Sequence, residues 1–186
     1  QKAARLSGAV DMREHLSFLS SWKPDILIGP PSLFRALIYR CEEYGVSLDV
    51  KIVRCCGELL DDSTRRLITN SLSAEVFDDY GCTEVERIAW ECPTHFGYHI
   101  NIDSVILEFL RDDEPASPSE AGELCATNLY RWSTPMIRYC PGDIATSIDD
   151  ECPCGRGLSL LKNIEGRVVD FIVTPDDRLI SPYTIM

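Results

Sequence analysis

The sequence predicts an α/β protein: a parallel sheet with flanking helices, followed by an antiparallel, β-rich subdomain of partial-barrel form. Three observations predict it. Between residues 11 and 90, short apolar runs alternate with segments of helical period, the crossover pattern of a parallel sheet. Beyond residue 97 the helical period gives way to residue-by-residue alternation broken by polar turns, which is the pattern of antiparallel strands. Three unusual segments follow the expected early strands: Gly29-Pro30-Pro31, Cys56-Gly57-Glu58 and Tyr80-Gly81-Cys82-Thr83-Glu84. In a parallel sheet they would share the carboxyl edge, where ligands gather.

The elements follow in order. Met12, Leu16 and Leu19 recur at helical spacing over 11–21, and Pro24 ends that helix. Asp25 to Ile28 is a short apolar strand. Ser32 is expected to cap a second helix that buries Leu33, Leu37, Ile38, Cys41 and Tyr44 and stops at Gly45. Val50 to Arg54 is the next strand. Asp61 and Asp62 open a third helix carrying Leu67, Ile68 and Leu72. Glu75 to Phe77 is a third strand and Ile88 to Trp90 a fourth. Further on, Val105 to Leu110 alternates as a strand, and residues 112–122 form a polar, proline-bearing hairpin loop. Leu124–Thr127, Met136–Tyr139 and Ile144–Ile148 are shorter strands. Val168–Val173 and Leu179–Ile180 form a hairpin turned at Pro175 to Asp177. The expected organisation is an α/β subdomain over 1–97, an antiparallel subdomain over 98–167, and a hinge leading into a further domain over 168–186.

Composition narrows the function. The 186 residues are 45% hydrophobic and 26% charged, which is ordinary for a globular chain. A net charge of −12 repels phosphate backbones, so nucleic acid is not an expected partner. No apolar run approaches the roughly 20 residues that span a bilayer, so no membrane association is expected. Gln1 to Ser7 lacks a signal-peptide pattern. The nine cysteines are odd in number. Cys41, Cys55, Cys56 and Cys125 sit on apolar runs, which suits reduced core residues in a cytoplasmic protein.

Three motifs carry chemistry. In Tyr80-Gly81-Cys82-Thr83-Glu84 the ring offers a face for a base and the glycine allows close backbone approach. Thr83 can donate to a phosphate oxygen, and Glu84 can hold magnesium, a hard cation that takes oxygen ligands. Taken alone, the same residues also describe an ordinary strand-to-loop turn. In "MIRYCPGDIA" (136–145) Pro141-Gly142 turns the chain and leaves Asp143 at a strand start. That carboxylate can accept two hydroxyls at once, or satisfy turn amides. In "EGRVVDFIV" (165–173) Arg167 enters a strand after a glycine, within reach of a ribose or phosphate, or of a surface partner.

Together and in this order, the motifs resemble the adenylate-forming acyl-CoA synthetase superfamily, and most closely the phenylacetate–CoA ligase-like branch. The resemblance covers nearly the whole chain. It implies that Tyr80 stacks on adenine, Thr83 contacts the α-phosphate, Glu84 binds magnesium and Asp143 grips the ribose. It places Gly57 and Glu58 in the adenine-pocket loop, Gly81 beside the nucleotide, and Arg167 at the ribose or phosphate. The implied reaction joins a carboxylic acid to ATP, releasing pyrophosphate, and then passes the acyl group from the adenylate to coenzyme A. ATP/AMP, Mg2+ and coenzyme A are thus the implied ligands, and a homodimer is a possible assembly. The family's upstream phosphate loop and its C-terminal lid with a catalytic lysine have no counterpart in 1–186. Val169 stands where the family usually has Asp, with Asp170 next. A truncated ligase, inactive by itself, is therefore the expectation. The alternatives are a zinc-stapled module that binds nucleotide or partner without turnover, or adenylyl transfer to an acceptor other than coenzyme A.

A metal site is also expected. Cys92 precedes His99 by seven residues, and Cys152 and Cys154 flank a proline. Two thiolates two residues apart on extended chain face one side. With Cys92 and a histidine they would make a Cys3His set, the pattern of structural Zn2+ with ligands about 2.0–2.3 Å from the ion. From spacing alone His95 competes with His99; the family resemblance favours His99. Such a zinc would staple the antiparallel half to the parallel half.

Overall fold

The computed structural model describes residues 3–4, 11–167, 172–174 and 179–180. The chain forms two compact units, Gln1–Val76 and Phe77–Met186.

The first unit begins with α1 (Met12–Trp22), β1 (Ile26–Gly29), α2 (Pro31–Tyr44), β2 (Ile52–Cys56) and α3 (Asp62–Leu72). β1 and β2 pair in parallel, Ile26 opposite Ile52 through Gly29 opposite Cys55, with α2 as the crossover. β3 (Glu75–Cys82) starts beside them, the Glu75 N–H donating to the Lys51 carbonyl at 2.9 Å. The core gathers Leu16 and Leu19 of α1, Phe34, Leu37 and Ile38 of α2, Val53 and Cys55 of β2, and Ile68 and Leu72 of α3. Full burial of one such side chain is worth about 1.5–3 kcal/mol, and this cluster holds the helices on the strands.

Local chemistry sets the helix ends. Asp11 accepts the Arg13 N–H at 2.8 Å and caps α1. Asp61 accepts the Thr64 N–H at 2.8 Å and the Thr64 hydroxyl at 2.7 Å and caps α3. α2 corrects the expectation of a Ser32 cap. Pro31 is its first residue, a position that tolerates proline because no N–H is needed there, and Pro30 makes no side-chain capping bond. Ser32 lies inside the first turn and donates its N–H and hydroxyl to the Glu58 carboxylate at 3.0 and 2.8 Å. The helix start is thus capped by the loop after β2. Phe34 takes the core place expected of Leu33, which is 41% exposed. Gly45 ends α2 at φ 63°, where a side chain would be strained.

The second unit is antiparallel. Its further strands are β4 (Glu86–Glu91), β5 (Tyr98–Ile100), β6 (Val105–Arg111), β7 (Glu114–Pro115), β8 (Ala121–Asn128), β9 (Asp143–Ile148) and β10 (Leu160–Arg167). They lie in the open order β3-β4-β5-β10-β9-β8-β6-β7, with antiparallel pairing from β3 through β7. Ile88, Ala89, Val105, Leu124, Ala126, Ala145 and Leu161 form its core. β11 (Ile172–Val173) and β12 (Leu179–Ile180) form the expected terminal hairpin. Pro175 to Asp177, Val169 and Asp170 lie outside the described residues.

Two further expectations are corrected, on residues 136–139 and Cys125, and one, the 112–122 hairpin loop, is refined. Residues 136–139 are not a strand; Tyr139 alone bridges to Ala126, because Pro135 and Pro141 bracket the segment and Ile137 is 73% exposed. The 112–122 loop turns tightly at Asp112-Asp113, both at positive φ, and pairs again as β7. Cys125 is not a free core thiol: it is disulfide-bonded to Cys140 with Cα atoms 4.2 Å apart. Cys41, Cys55 and Cys56 are thiols outside any disulfide.

Candidate functional site

The Tyr80–Glu84 motif is a hairpin. Tyr80, Gly81 and Cys82 continue β3, residues 83–85 turn, and β4 returns. The register slips between Tyr80 and Gly81, so the chain bulges there. A Cβ on Gly81 would run into the Glu86 carbonyl, so the close approach that demands glycine is made by the returning strand.

Tyr80 is buried in the middle of this unit, and its hydroxyl donates to Asp143 Oδ2 at 2.7 Å. Asp143 opens β9 after Gly142, whose φ of 83° makes the turn. Its Oδ1 lies 3.4 Å from Arg167 Nε, its register partner on β10. Burial first, then the Asp143 charge and hydrogen bond, push the Tyr80 phenol far above its ordinary pKa, so it is a fixed donor. Each Asp143 oxygen keeps a second lone pair for an incoming hydroxyl. Arg167 is exposed and can move toward a ligand.

Thr83 is exposed on the turn, and Glu84 is half-buried beside it. Burial, then the charge of Glu84, pushes the Tyr139 phenol up. The Cys82 thiol is also pushed up, chiefly by burial, with Glu84 adding to it. Glu84 therefore faces Tyr139 and Cys82. The turn is held by two residues with no motif to mark them. Arg131 Nη1 donates to the Thr83 and Glu84 carbonyls at 2.7 and 2.6 Å, and Asn128 Nδ2 donates to the Val85 carbonyl at 2.8 Å. Gly57 and Glu58 belong to the first unit, where Gly57 turns at φ 81° and Glu58 caps α2.

Cys92, His99, Cys152 and Cys154 form a second cluster, with their ligand atoms all within 4.8 Å of one another. Cys92 Sγ is 3.6 Å from Cys152 Sγ, and Cys154 Sγ is 3.3 Å from His99 Nε2. Ligand atoms around a tetrahedral zinc stand about 3.3–3.8 Å apart, given its bond lengths. The two loop thiols converge through a turn closed by the Gly155 N–H on the Cys152 carbonyl at 3.0 Å, not through extended chain. Burial pushes the Cys154 thiol up, but hydrogen bonds from Arg156, Cys152 and Cys92 draw it down to about 6. Cys152 is pushed up, chiefly by burial. The Thr94 hydroxyl lies 3.1 and 3.3 Å from Cys92 and Cys152. His99 is fully buried, and its Nδ1 has no hydrogen-bond partner. A preorganised thiol set around a buried imidazole fits zinc. His95 stands apart, its Nδ1 3.3 Å from Glu91 and its ring stacked on Phe77. All four cluster residues lie in the second unit, so a metal would tie β5, the end of β4 and the β9–β10 connection to one another.

No protein-family model matches the chain. In sequence it is similar to the phenylacetate–coenzyme A ligase of Thermus thermophilus, 25% identical over 176 residues, covering 90% of this chain and 39% of that protein. It is also similar to the indoleacetate–lysine synthetase of Pseudomonas savastanoi, 27% identical over 138 residues, covering 72% of this chain and 32% of that protein. In fold it matches a 2-hydroxyisobutyryl-CoA ligase solved in an open conformation with 2-HIB-AMP and CoA. The TM-score is 0.84 at 24% identity, covering 98% of this chain and 44% of that one. The chain thus spans about two fifths of the length of the first curated relative, and the resemblance read from its motifs recurs in both sequence and fold.

Proposed function

We propose that this chain is the nucleotide-holding part of an ATP-dependent carboxylate–CoA ligase that adenylates a carboxylic acid and transfers the acyl group to coenzyme A. The observation that carries the reading is the Tyr80–Asp143–Arg167 contact, which brings two separate motif segments and the hinge arginine to one carboxylate. The similarity to a phenylacetate–CoA ligase over 90% of the chain supports the same reading.

In this reading Asp143 accepts the two ribose hydroxyls, displacing Arg167, which swings to the ribose or phosphate. Tyr80 positions the carboxylate and lines the adenine side, with Gly81 behind it. Thr83 donates to the α-phosphate. Gly57 and Glu58 contribute the adenine loop. The Glu84 carboxylate is of the right type to hold Mg2+, which when bound supplies charge neutralisation on the phosphates. The protein's work is positioning and electrostatics, with no covalent intermediate on a side chain. The segments 1–97, 98–167 and 168–186 would then act as nucleotide platform, ribose-gripping sheet and hinge, in the cytoplasm. Cys92, His99, Cys152 and Cys154 would hold a structural zinc, since four protein ligands leave no open position.

ATP–pyrophosphate exchange across a panel of carboxylic acids tests the reading on the protein that carries this chain. Exchange dependent on one acid class and abolished by Asp143→Ala is expected. No exchange with any acid would overturn it. A second reading, transfer of the acyl group from the adenylate to an amine with release of AMP, is favoured by the similarity to the indoleacetate–lysine synthetase. Replacing coenzyme A with amino acids as the acceptor distinguishes the two.

A further inference from the structure

The Thr83–Val85 turn carries both residues assigned above to phosphate and magnesium. Val85 anchors its end in the core, but Thr83 is exposed and Glu84 half-buried, so packing alone does not fix the shape of its first two residues. Its three consecutive carbonyls are all bound, and by a single short segment. Arg131 bridges the Thr83 and Glu84 carbonyls, and Asn128 takes that of Val85. The donor segment is itself fixed. Asn128 Oδ1 accepts the N–H groups of Tyr130 and Arg131, both at 2.9 Å, so one amide side chain bends the chain and aims the arginine. The Leu129 N–H donates to the Ser104 carbonyl at 2.9 Å, and the Asn128 N–H donates to that of Met136 at 3.0 Å. Both bonds leave one nitrogen, Nη1, whose two N–H groups diverge to the two adjacent carbonyls, and the planar guanidinium fixes those two directions where a rotatable ammonium on a flexible stem does not.

We propose that Asn128 and Arg131 are positioning residues that clamp the Thr83–Val85 turn, so that the Thr83 hydroxyl and Glu84 carboxylate are presented in one geometry to the α-phosphate and its metal ion. The inference rests on the ligase reading, and it adds residues that no motif in the sequence marks. The clamp acts through backbone carbonyls and touches no ligand atom. Its removal leaves the Asp143 ribose contact in place and loosens only the groups that act during phosphoryl chemistry. The signature is therefore a fall in kcat with little change in KM for ATP.

The test compares Arg131→Met, Asn128→Ala and Arg131→Lys in the protein that carries this chain, with Arg138→Met as the control from the same loop. Arg138 pairs with Glu108 and lies outside the clamp. Arg131→Met is expected to lower kcat for pyrophosphate exchange by about ten- to a hundred-fold, as a small misplacement of reacting groups does. KM for ATP should change less than about two-fold. The magnesium concentration for half-maximal rate should rise, and amide exchange at 83–86 should quicken while the rest of the sheet stays protected. Asn128→Ala should do the same more mildly, Arg131→Lys should recover part of the rate, and Arg138→Met should change nothing. An active wild type with unaltered kcat in Arg131→Met overturns the clamp and leaves the ligase reading standing. So does a rise in KM matching the fall in kcat/KM, or loss of protection across the whole unit. An inactive wild type overturns the ligase reading, and the clamp with it.

Discussion

Two carboxylates in this chain show how placement decides what an acid does. Asp143 sits at the head of a strand, reached by a buried phenol on one oxygen and an exposed guanidinium on the other. The phenol orients it, and the guanidinium can yield its place to a ligand. Asp61 serves only its helix. Burial pushes it up, but hydrogen bonds from Ser63 and Thr64 outweigh this and hold it at about 2, against an ordinary value of 3.8. Because the folded-state value is depressed, the stabilisation is fully present above pH 3.8 and is lost as pH falls through about 2. Asp61→Ala should cost about 1 kcal/mol at neutral pH. Urea unfolding of both proteins across pH should show the difference vanish toward pH 2; a difference that persists there would contradict the assignment. Asp61 was legible from its place before a helical run. Arg131 and Asn128 were not, because their partners are backbone carbonyls and no side-chain pattern records a carbonyl.

At the scale of elements, the helices of the first unit follow their apolar spacing and their stops, and the strands of the second follow their alternation. The failures have physical causes. β5 is only three residues long and owes its place to neighbours on both sides, so no local pattern announces it. Residues 136–139 alternate like a strand, but flanking prolines and an exposed face leave one bridge. Cys125 looks like any buried thiol until the fold brings Cys140 to it. The Cys/His cluster is the opposite case. Its residue types were legible, while the turn that gathers them was not. If it holds zinc, the ion links β5, the end of β4 and the β9–β10 connection. The purified protein should then carry about one equivalent of zinc by mass spectrometry of the native species. Cys92→Ser should lose the metal and lower the unfolding midpoint, since a structural zinc contributes directly to folding. Metal-free protein of unchanged stability would contradict a structural role.

Across the whole molecule, two units fold by different rules. The first is layered α/β, with a crossover helix between parallel strands. The second is an antiparallel sheet that brings Tyr80 of β3 to Asp143, whose register partner on the adjacent strand is Arg167. The resemblance to the ligases was legible because the motifs that carry it are short, ordered, and each dense in chemistry. The packing that makes Gly81 indispensable was not, since it depends on the returning strand. The account's central claim is that the Tyr80–Asp143–Arg167 group is a ribose-gripping site. Calorimetric titration of this chain with AMP, in parallel with Asp143→Asn, tests it most directly. The account predicts saturable binding that weakens by at least about ten-fold in the variant, the cost of leaving ribose hydroxyls poorly paired. Equal affinity in both proteins would contradict it.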